Sequence, residues 1–304
     1  MLTGITLGSL FPDSATLLEM LIWPVLAVLL YATFLQVPLL HVRQAFRDRR
    51  FVSAVLTGNF VFMPLVVWGL VQCLPDSAPL RLGVLLVLLV PCTDWFISFT
   101  QLGGGDVPRA VAVTPLNLLF QLCLLPVYLW AMTDSQFSAV LSLGDVAPAL
   151  LIVLLPLAAA AISERWIEAQ PGREVLRDTL AWWPIPLLGL VILLVAAVQV
   201  STLQAALAWL PWVIPIYVAY LVIAALVAKL QTRLWQLPHS QGRTLAFSLG
   251  TRNSFVVLPF ALGLPNGWEV AALVIVVQSL VELLGMLAYL RWIPHRLFAG
   301  NKNG

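Results

Sequence analysis

The chain has 304 residues, 61% of them hydrophobic and only 10% charged, with a net charge of +2. A soluble domain carries about 25% charged residues, so this composition excludes a soluble enzyme or binding module and calls for a single polytopic membrane domain over 1–304. The small positive balance follows from where the basic residues sit and implies no nucleic-acid partner.

The opening stretch, Met1–Pro12, lacks the basic residues and small-residue cleavage site of a secretory signal. Within it, Leu2–Phe11 is a half-length apolar stub that reads either as the tail of a tenth span or as a segment lying in the membrane interface. A bilayer core of about 30 Å needs roughly 20 apolar residues per helix. Nine full spans follow, at about 17–37, 51–73, 80–101, 108–132, 146–164, 181–201, 204–230, 243–263 and 268–292. Trp183, Trp209, Trp212, Trp268 and Trp292 lie near span ends, where interfacial aromatics belong.

The loops at 38–50, 102–109, 165–180, 231–242 and 293–304, with their flanks, hold 14 of the 16 Lys and Arg. Of the alternate loops, only the one with Arg81 carries any. The positive-inside bias therefore makes the basic loops and the C-terminus cytoplasmic, and the protein a multi-pass component of the plasma or inner membrane.

Two polar interruptions break the apolar pattern: Pro91-Cys92-Thr93-Asp94 in the third span and Ser248 to Ser254 in the eighth. Pro91, Gly250 and Pro259 explain the breaks, since proline removes a ladder donor and clashes with the turn before it. Backbone freed inside hydrocarbon must find protein, water or ligand. With the stub counted as a span, the chain divides five plus five, 1–132 and 146–292, and an odd number of spans inverts one half against the other. Each half then carries its interruption in its fourth span. Paired broken helices at matching positions of two halves point to the binding site of a secondary transporter.

Asp94, Arg252 and Glu282 are the ionisable residues well inside spans. Each costs about 2.5–3.5 kcal/mol to insert, about 8–10 kcal/mol for the three, which calls for a cavity or a pairing. Gln278 lies one turn before Glu282 on the same face. Gly103-Gly104-Gly105 reads as a tight turn between spans. Cys73, Cys92 and Cys123 have no CxxC spacing, and His41, His239 and His295 fall in loops, so neither a disulfide framework nor a metal site is expected. With no intramembrane histidine and no HExxH, GxSxG or phosphate-loop motif, nothing points to an enzyme or a bound cofactor.

At Pro91 through Asp106, at Asn253-Ser254-Phe255 and at Leu280-Val281-Glu282 the sequence resembles the bile acid/sodium symporter superfamily, and within it the arsenite-efflux permeases of the yeast-type arsenical resistance branch. The resemblance covers nearly the whole chain. It implies an all-α fold of ten spans in two inverted five-helix repeats whose fourth and ninth helices are unwound and cross, with the stub standing for a truncated first helix. Sodium-coupled members carry polar ligands at positions that here are Phe96, Ile97, Ser248 and Arg252. Phe, Ile and a guanidinium offer no oxygen to a hard cation, so the resemblance implies transport without sodium. The arsenite branch is matched by Cys92, Asn59, Asn253, Phe255 and Glu282. It is not matched at Val256, where a glutamate is usual, and Asp94 and Arg252 stand outside its pattern.

Cys92 is then either a soft ligand for trivalent arsenic or a small buried residue. Asp94 and Arg252 either form an internal ion pair across the crossing or divide the work, Asp94 exchanging a proton beside a fixed arginine charge. Glu282 is the stronger proton carrier, or else a carboxylate held by a neighbouring helix. Thr93, Asn59, Asn253, Ser254 and Asn117 line the site or make helix–helix hydrogen bonds. The expected function is proton-coupled efflux of arsenite or antimonite; the alternative is carriage of a small organic anion with its carboxylate on Arg252. The sequence does not determine an oligomeric state.

Overall fold

A computed structural model describes residues 15–39, 48–133, 143–170, 172–198, 208–265 and 267–299. The apolar stub, His41 and much of the loop at 38–50 lie outside these. The described residues form helices α1 (Ala15–Phe34), α2 (Arg49–Thr57), α3 (Met63–Val71), α4 (Ala78–Leu89), α5 (Trp95–Leu102), α6 (Val107–Met132) and α7 (Leu143–Glu168). There follow α8 (Glu174–Leu180), α9 (Pro184–Val198), α10 (Leu210–Leu234), α11 (His239–Gly250), α12 (Ser254–Leu262) and α13 (Val270–Trp292). No β-strand occurs among the described residues. Among the described residues, five stretches are long and apolar enough to cross a membrane: Leu17–Phe34, Arg49–Val71, Val107–Met132, Leu210–Leu234 and Val270–Leu297. Large apolar side chains such as Leu65, Trp68, Trp130 and Leu284 are exposed on their flanks. In a chain with so few charges, that surface faces lipid. The protein is a multi-pass membrane protein.

Local chemistry sets where the helices start and stop. The Asp48 carboxylate accepts from the Phe51 N–H and caps α2. The Asp106 carboxylate accepts from the Arg109 N–H and caps α6, whose second residue is Pro108. Arg109 joins the two caps, its Nε 2.7 Å from Asp48 and its Nη1 2.5 Å from Asp106. Gln241 of α11 adds a hydrogen bond to Asp48 at 3.2 Å. Between α5 and α6, Gly104 takes φ +64°, the left-handed conformation that glycine adopts without strain. The predicted glycine turn is there.

Two departures from regular helix have a proline behind them. Pro64 has no N–H for the Phe60 carbonyl four residues back, and the Tyr128 hydroxyl takes that oxygen at 2.5 Å. The chain meets this by widening into a π-turn over Gly58–Phe62, which joins α2 to α3. Pro294 sits in a second π-turn, Ile293–Leu297, beyond α13. One expectation needs correcting: the segment 165–180, expected as a loop, contains the short helix α8.

Helix α4 is buried nearly all round and forms the centre of the assembly. It packs along α13, and Gly83 makes the closest approach there: an added Cβ would lie 2.7 Å from the Ala271 Cα. Helix α1 packs on α7 and α9, and α10 packs on α11 and α13.

The third and eighth predicted spans are each two half-helices, α4/α5 and α11/α12, and they meet at their breaks. Val90 closes α4 in extended conformation, and Pro91 forms an isolated antiparallel bridge with Arg252. The Asn253 N–H donates to the Val90 carbonyl at 2.8 Å, and the Cys92 N–H to the Thr251 carbonyl at 3.1 Å. Beyond the bridge the halves exchange neighbours: α5 lies on α11 and α12 on α4. Each break thus supplies the backbone partners that the other lost, which is how an irregular segment survives at membrane depth.

Candidate functional site

The site grows from this crossing. Asn253 caps α12, its side-chain oxygen accepting from the Val256 N–H at 3.3 Å, while its amide donates to the Thr93 hydroxyl at 3.1 Å. One side chain thereby starts a half-helix and holds the opposite break. Both residues are buried.

Arg252 is the bridge residue of the second break. Its Nη2 donates to Asn59 Oδ1 at 3.1 Å and to the Leu249 carbonyl at 2.5 Å, and its guanidinium lies 5.1 Å from the Tyr220 ring centroid. Asn59, presented by the π-turn, donates from Nδ2 to the Ser248 hydroxyl at 3.0 Å. Arg252 is 3% exposed, and its Nε and Nη1 have no hydrogen-bond partner among the described residues.

Glu282, on α13, faces the crossing from the other side. Its Oε2 accepts from the Arg252 main-chain N–H at 2.8 Å and from Gln278 Nε2 at 2.6 Å. The Gln278 neighbour expected one turn earlier is therefore a bonded one. Ser279 of the same helix donates to the Ser254 hydroxyl at 2.8 Å.

The Cys92 thiol, in the first break, donates to Asp94 Oδ1 at 3.1 Å. Asp94 occupies the N-cap position of α5 but spends no side-chain bond on the cap, and its Oδ2 has no hydrogen-bond partner among the described residues. The possible Asp94–Arg252 ion pair is not formed. Asp94 folds back onto its own segment, Arg252 points to Asn59 and Tyr220, and the acid against Arg252 is Glu282.

Two cavities adjoin these groups. A small one, about 70 Å³, has Cys92, Arg252, Ser254, Ser279 and Glu282 in its wall, with apolar cover from Leu188 and Ile192 of α9. A larger one, about 460 Å³, is lined by Asp94 and Ser98 together with Gln36 and Arg177. Trp95 and Phe99 line both.

Of the residues proposed from sequence, Cys92, Ser254, Arg252 and Glu282 share the small cavity. Thr93, Asn59 and Asn253 stand behind it as supports, and Asp94 faces the larger space. Phe96 is fully buried and offers no ligand, and Ser248 spends its hydroxyl on Asn59. Among the described residues no cluster of three His, Cys, Asp or Glu side chains is placed to hold a metal ion. Sequence reasoning missed Ser279, Tyr220, Trp95 and Phe99. Ser279 was within reach, three residues before Glu282 on one helix face; the aromatics carried no local signal.

The model of the sodium bile acid symporter family matches residues 23–207. The chain belongs to this family. The matched region includes the first break and its flanking helices. Over 294 residues, covering 90% of this chain and 78% of the relative, it is 23% identical to the arsenical-resistance protein Acr3 of Corynebacterium glutamicum. A second relative of this family member, the uncharacterized protein PA2026 of Pseudomonas aeruginosa, is 30% identical over 128 residues, 40% of this chain and 38% of that one.

Proposed function

We propose that this protein is a secondary carrier that exports trivalent arsenic, or antimony, in exchange for protons and without sodium. The observation that carries the reading is the small cavity at the crossing, where one thiol and one carboxylate meet. Thiolates select soft centres, and a single thiol holds arsenite weakly enough to release it. Pockets for drug-sized organic ligands run to about 300–1,000 Å³, so a space of about 70 Å³ favours a small inorganic solute over a larger organic anion. The arsenical-resistance relative supports the same choice.

In the proposed cycle Cys92 displaces one hydroxyl from arsenite: an S–As bond forms, an As–O bond breaks, and the thiol proton leaves with that hydroxyl as water. Asp94, already hydrogen-bonded to the thiol, relays that proton. Glu282 takes up the coupled proton, and its bond to the Arg252 N–H links its charge state to the break itself. Arg252 stays protonated throughout and serves as a fixed charge.

The architecture that goes with this reading has nine full spans preceded by the apolar stub, in two inverted repeats of about 1–132 and 146–292, with the C-terminus cytoplasmic. The pairing of the two breaks is what such a repeat would produce. One helical group then rocks against the other around the crossing.

The deciding experiment measures arsenite accumulation in cells that lack their own efflux pumps and express either the wild-type chain or Cys92→Ser. Lower arsenic with wild type, lost in the variant, is expected. Unchanged accumulation with well-expressed wild type overturns the reading and turns attention to small carboxylates on Arg252.

A further inference from the structure

The two cavities share a pair of aromatic side chains in their walls. Trp95 and Phe99 lie one turn apart on α5, with ring centroids 6.4 Å from each other, and each lines both spaces. Phe99 is backed in turn by Phe247 of α11, its ring stacked at 6.5 Å. That ring is held in place by Gly103, where an added Cβ would come within 2.3 Å of it. The polar groups are sorted across this wall. Cys92, Ser254 and Glu282 line the inner cavity, whereas Asp94, Ser98 and Arg177 line the outer one. The Cys92–Asp94 hydrogen bond joins the two sides. The outer space also borders α8, which is tied to the end of α1 by reciprocal bonds: Arg177 Nη2 donates to the Gln36 carbonyl at 3.2 Å, and Gln36 Nε2 to the Arg177 carbonyl at 3.4 Å.

We propose that Trp95 and Phe99 are the partition between an outer vestibule and the binding cavity, and that they set the size of solute that reaches Cys92. This rests on the carrier reading above for its cargo, but the partition is a property of the fold. A hydroxide-bearing metalloid passes when the indole swings aside; a trivalent arsenical with an aryl substituent does not. The wall also explains why the two acids take separate posts. Asp94 meets the vestibule and Glu282 the inner cavity, so with the wall closed Asp94 can exchange a proton with the vestibule while Glu282 is shut off from it.

The test uses Cys92 as a reporter. In the full-length protein carrying Cys73→Ser and Cys123→Ser, Cys92 is the one remaining thiol. Its rate of reaction with a water-soluble maleimide is followed by mass on purified protein in detergent. The background variant should react slowly, since Cys92 is 3% exposed. Adding Trp95→Ala or Phe99→Ala should speed the reaction at least tenfold, and Trp95→Phe should leave it near background. Unchanged rates in both alanine variants overturn the partition. So does an equal acceleration by Trp292→Ala, which removes an indole that lines neither cavity and would report general loosening.

A second arm compares uptake of phenylarsonous acid with that of arsenite in proteoliposomes. The ratio should rise at least fivefold in Trp95→Ala; an unchanged ratio overturns the role in selectivity. Wild type that moves no arsenite would sink the carrier reading, while the maleimide rates would still decide the partition.

Discussion

Pro91 and Arg252 face each other as a single antiparallel bridge, each in the break of a different helix. The Asn253 N–H reaches the Val90 carbonyl, and the Thr251 carbonyl receives the Cys92 N–H. Each half-helix then begins at the bridge, α5 after Asp94 and α12 after Asn253. Two breaks, each costly alone, become one joint. The groups that recognise solute are carried on that joint rather than on a regular helix.

The joint should weaken in a way that exposes its wiring. Asn253→Ala removes a cap worth about 0.5–2 kcal/mol and the bond to Thr93. Thr93→Val removes that bond alone. Thermal denaturation in detergent should show Asn253→Ala as the more destabilised, and the double variant as less destabilised than the two single effects added together, because both remove one shared contact. Full additivity would mean that Asn253 and Thr93 do not interact.

Close backbone contact between α4 and α13 makes Gly83 a sensitive position. An alanine Cβ there would sit 2.4 Å from Val274 Cγ2 and 2.7 Å from the Ala271 carbonyl oxygen. Overpacking of this kind costs about 1–3 kcal/mol, so Gly83→Ala should lower the melting temperature by a few degrees and Gly83→Val should abolish folded yield. Gly69, on α3, meets nothing within 4 Å. Gly69→Ala should be neutral or slightly stabilising, since alanine is the better helix former.

Acid should loosen the network that joins α2, α6 and α11. Burial by itself would raise the Asp48 carboxyl, but hydrogen bonds from the Phe51 N–H, Arg109 and Gln241 outweigh it and hold the group below its ordinary range. A carboxyl depressed in the folded state stabilises above its unfolded pKa, about 3.9, and loses that contribution as pH falls through the folded value. The gap in melting temperature between wild type and Asp48→Asn should therefore be constant from pH 5 to 7 and shrink below about pH 4. A gap that widens in acid would contradict the assignment.

Proton coupling has its own signature. Glu282→Gln keeps an oxygen to accept from the Arg252 N–H but cannot ionise. In proteoliposomes, arsenite transport driven by a pH gradient should fall at least tenfold, while exchange of arsenite against arsenite at equal pH continues. Gradient-driven transport that survives this substitution would remove Glu282 from the coupling role.

The membrane character, the two interrupted helices and the three ionisable residues within spans were legible from residues alone, because hydropathy, proline and charge act within a single turn or span. So was the placing of Gln278 beside Glu282 on one helix face, which needs helix periodicity and nothing more. The partners of the charges were not legible. Arg252 reaches Asn59 across 193 residues of chain, and the Asn59 hydroxyl partner, Ser248, is 189 residues away. No local pattern encodes such a contact, and the unformed Asp94–Arg252 pair is the clearest instance: two opposite charges in facing breaks, turned apart by where Cys92, Asn59 and Tyr220 lie. Cavity size and its aromatic wall were likewise set by packing among α5, α9 and α13. Sequence determined that these helices must break inside the membrane; only the tertiary structure decided what each break would touch, because backbone groups freed in hydrocarbon take whatever partner the fold brings to them.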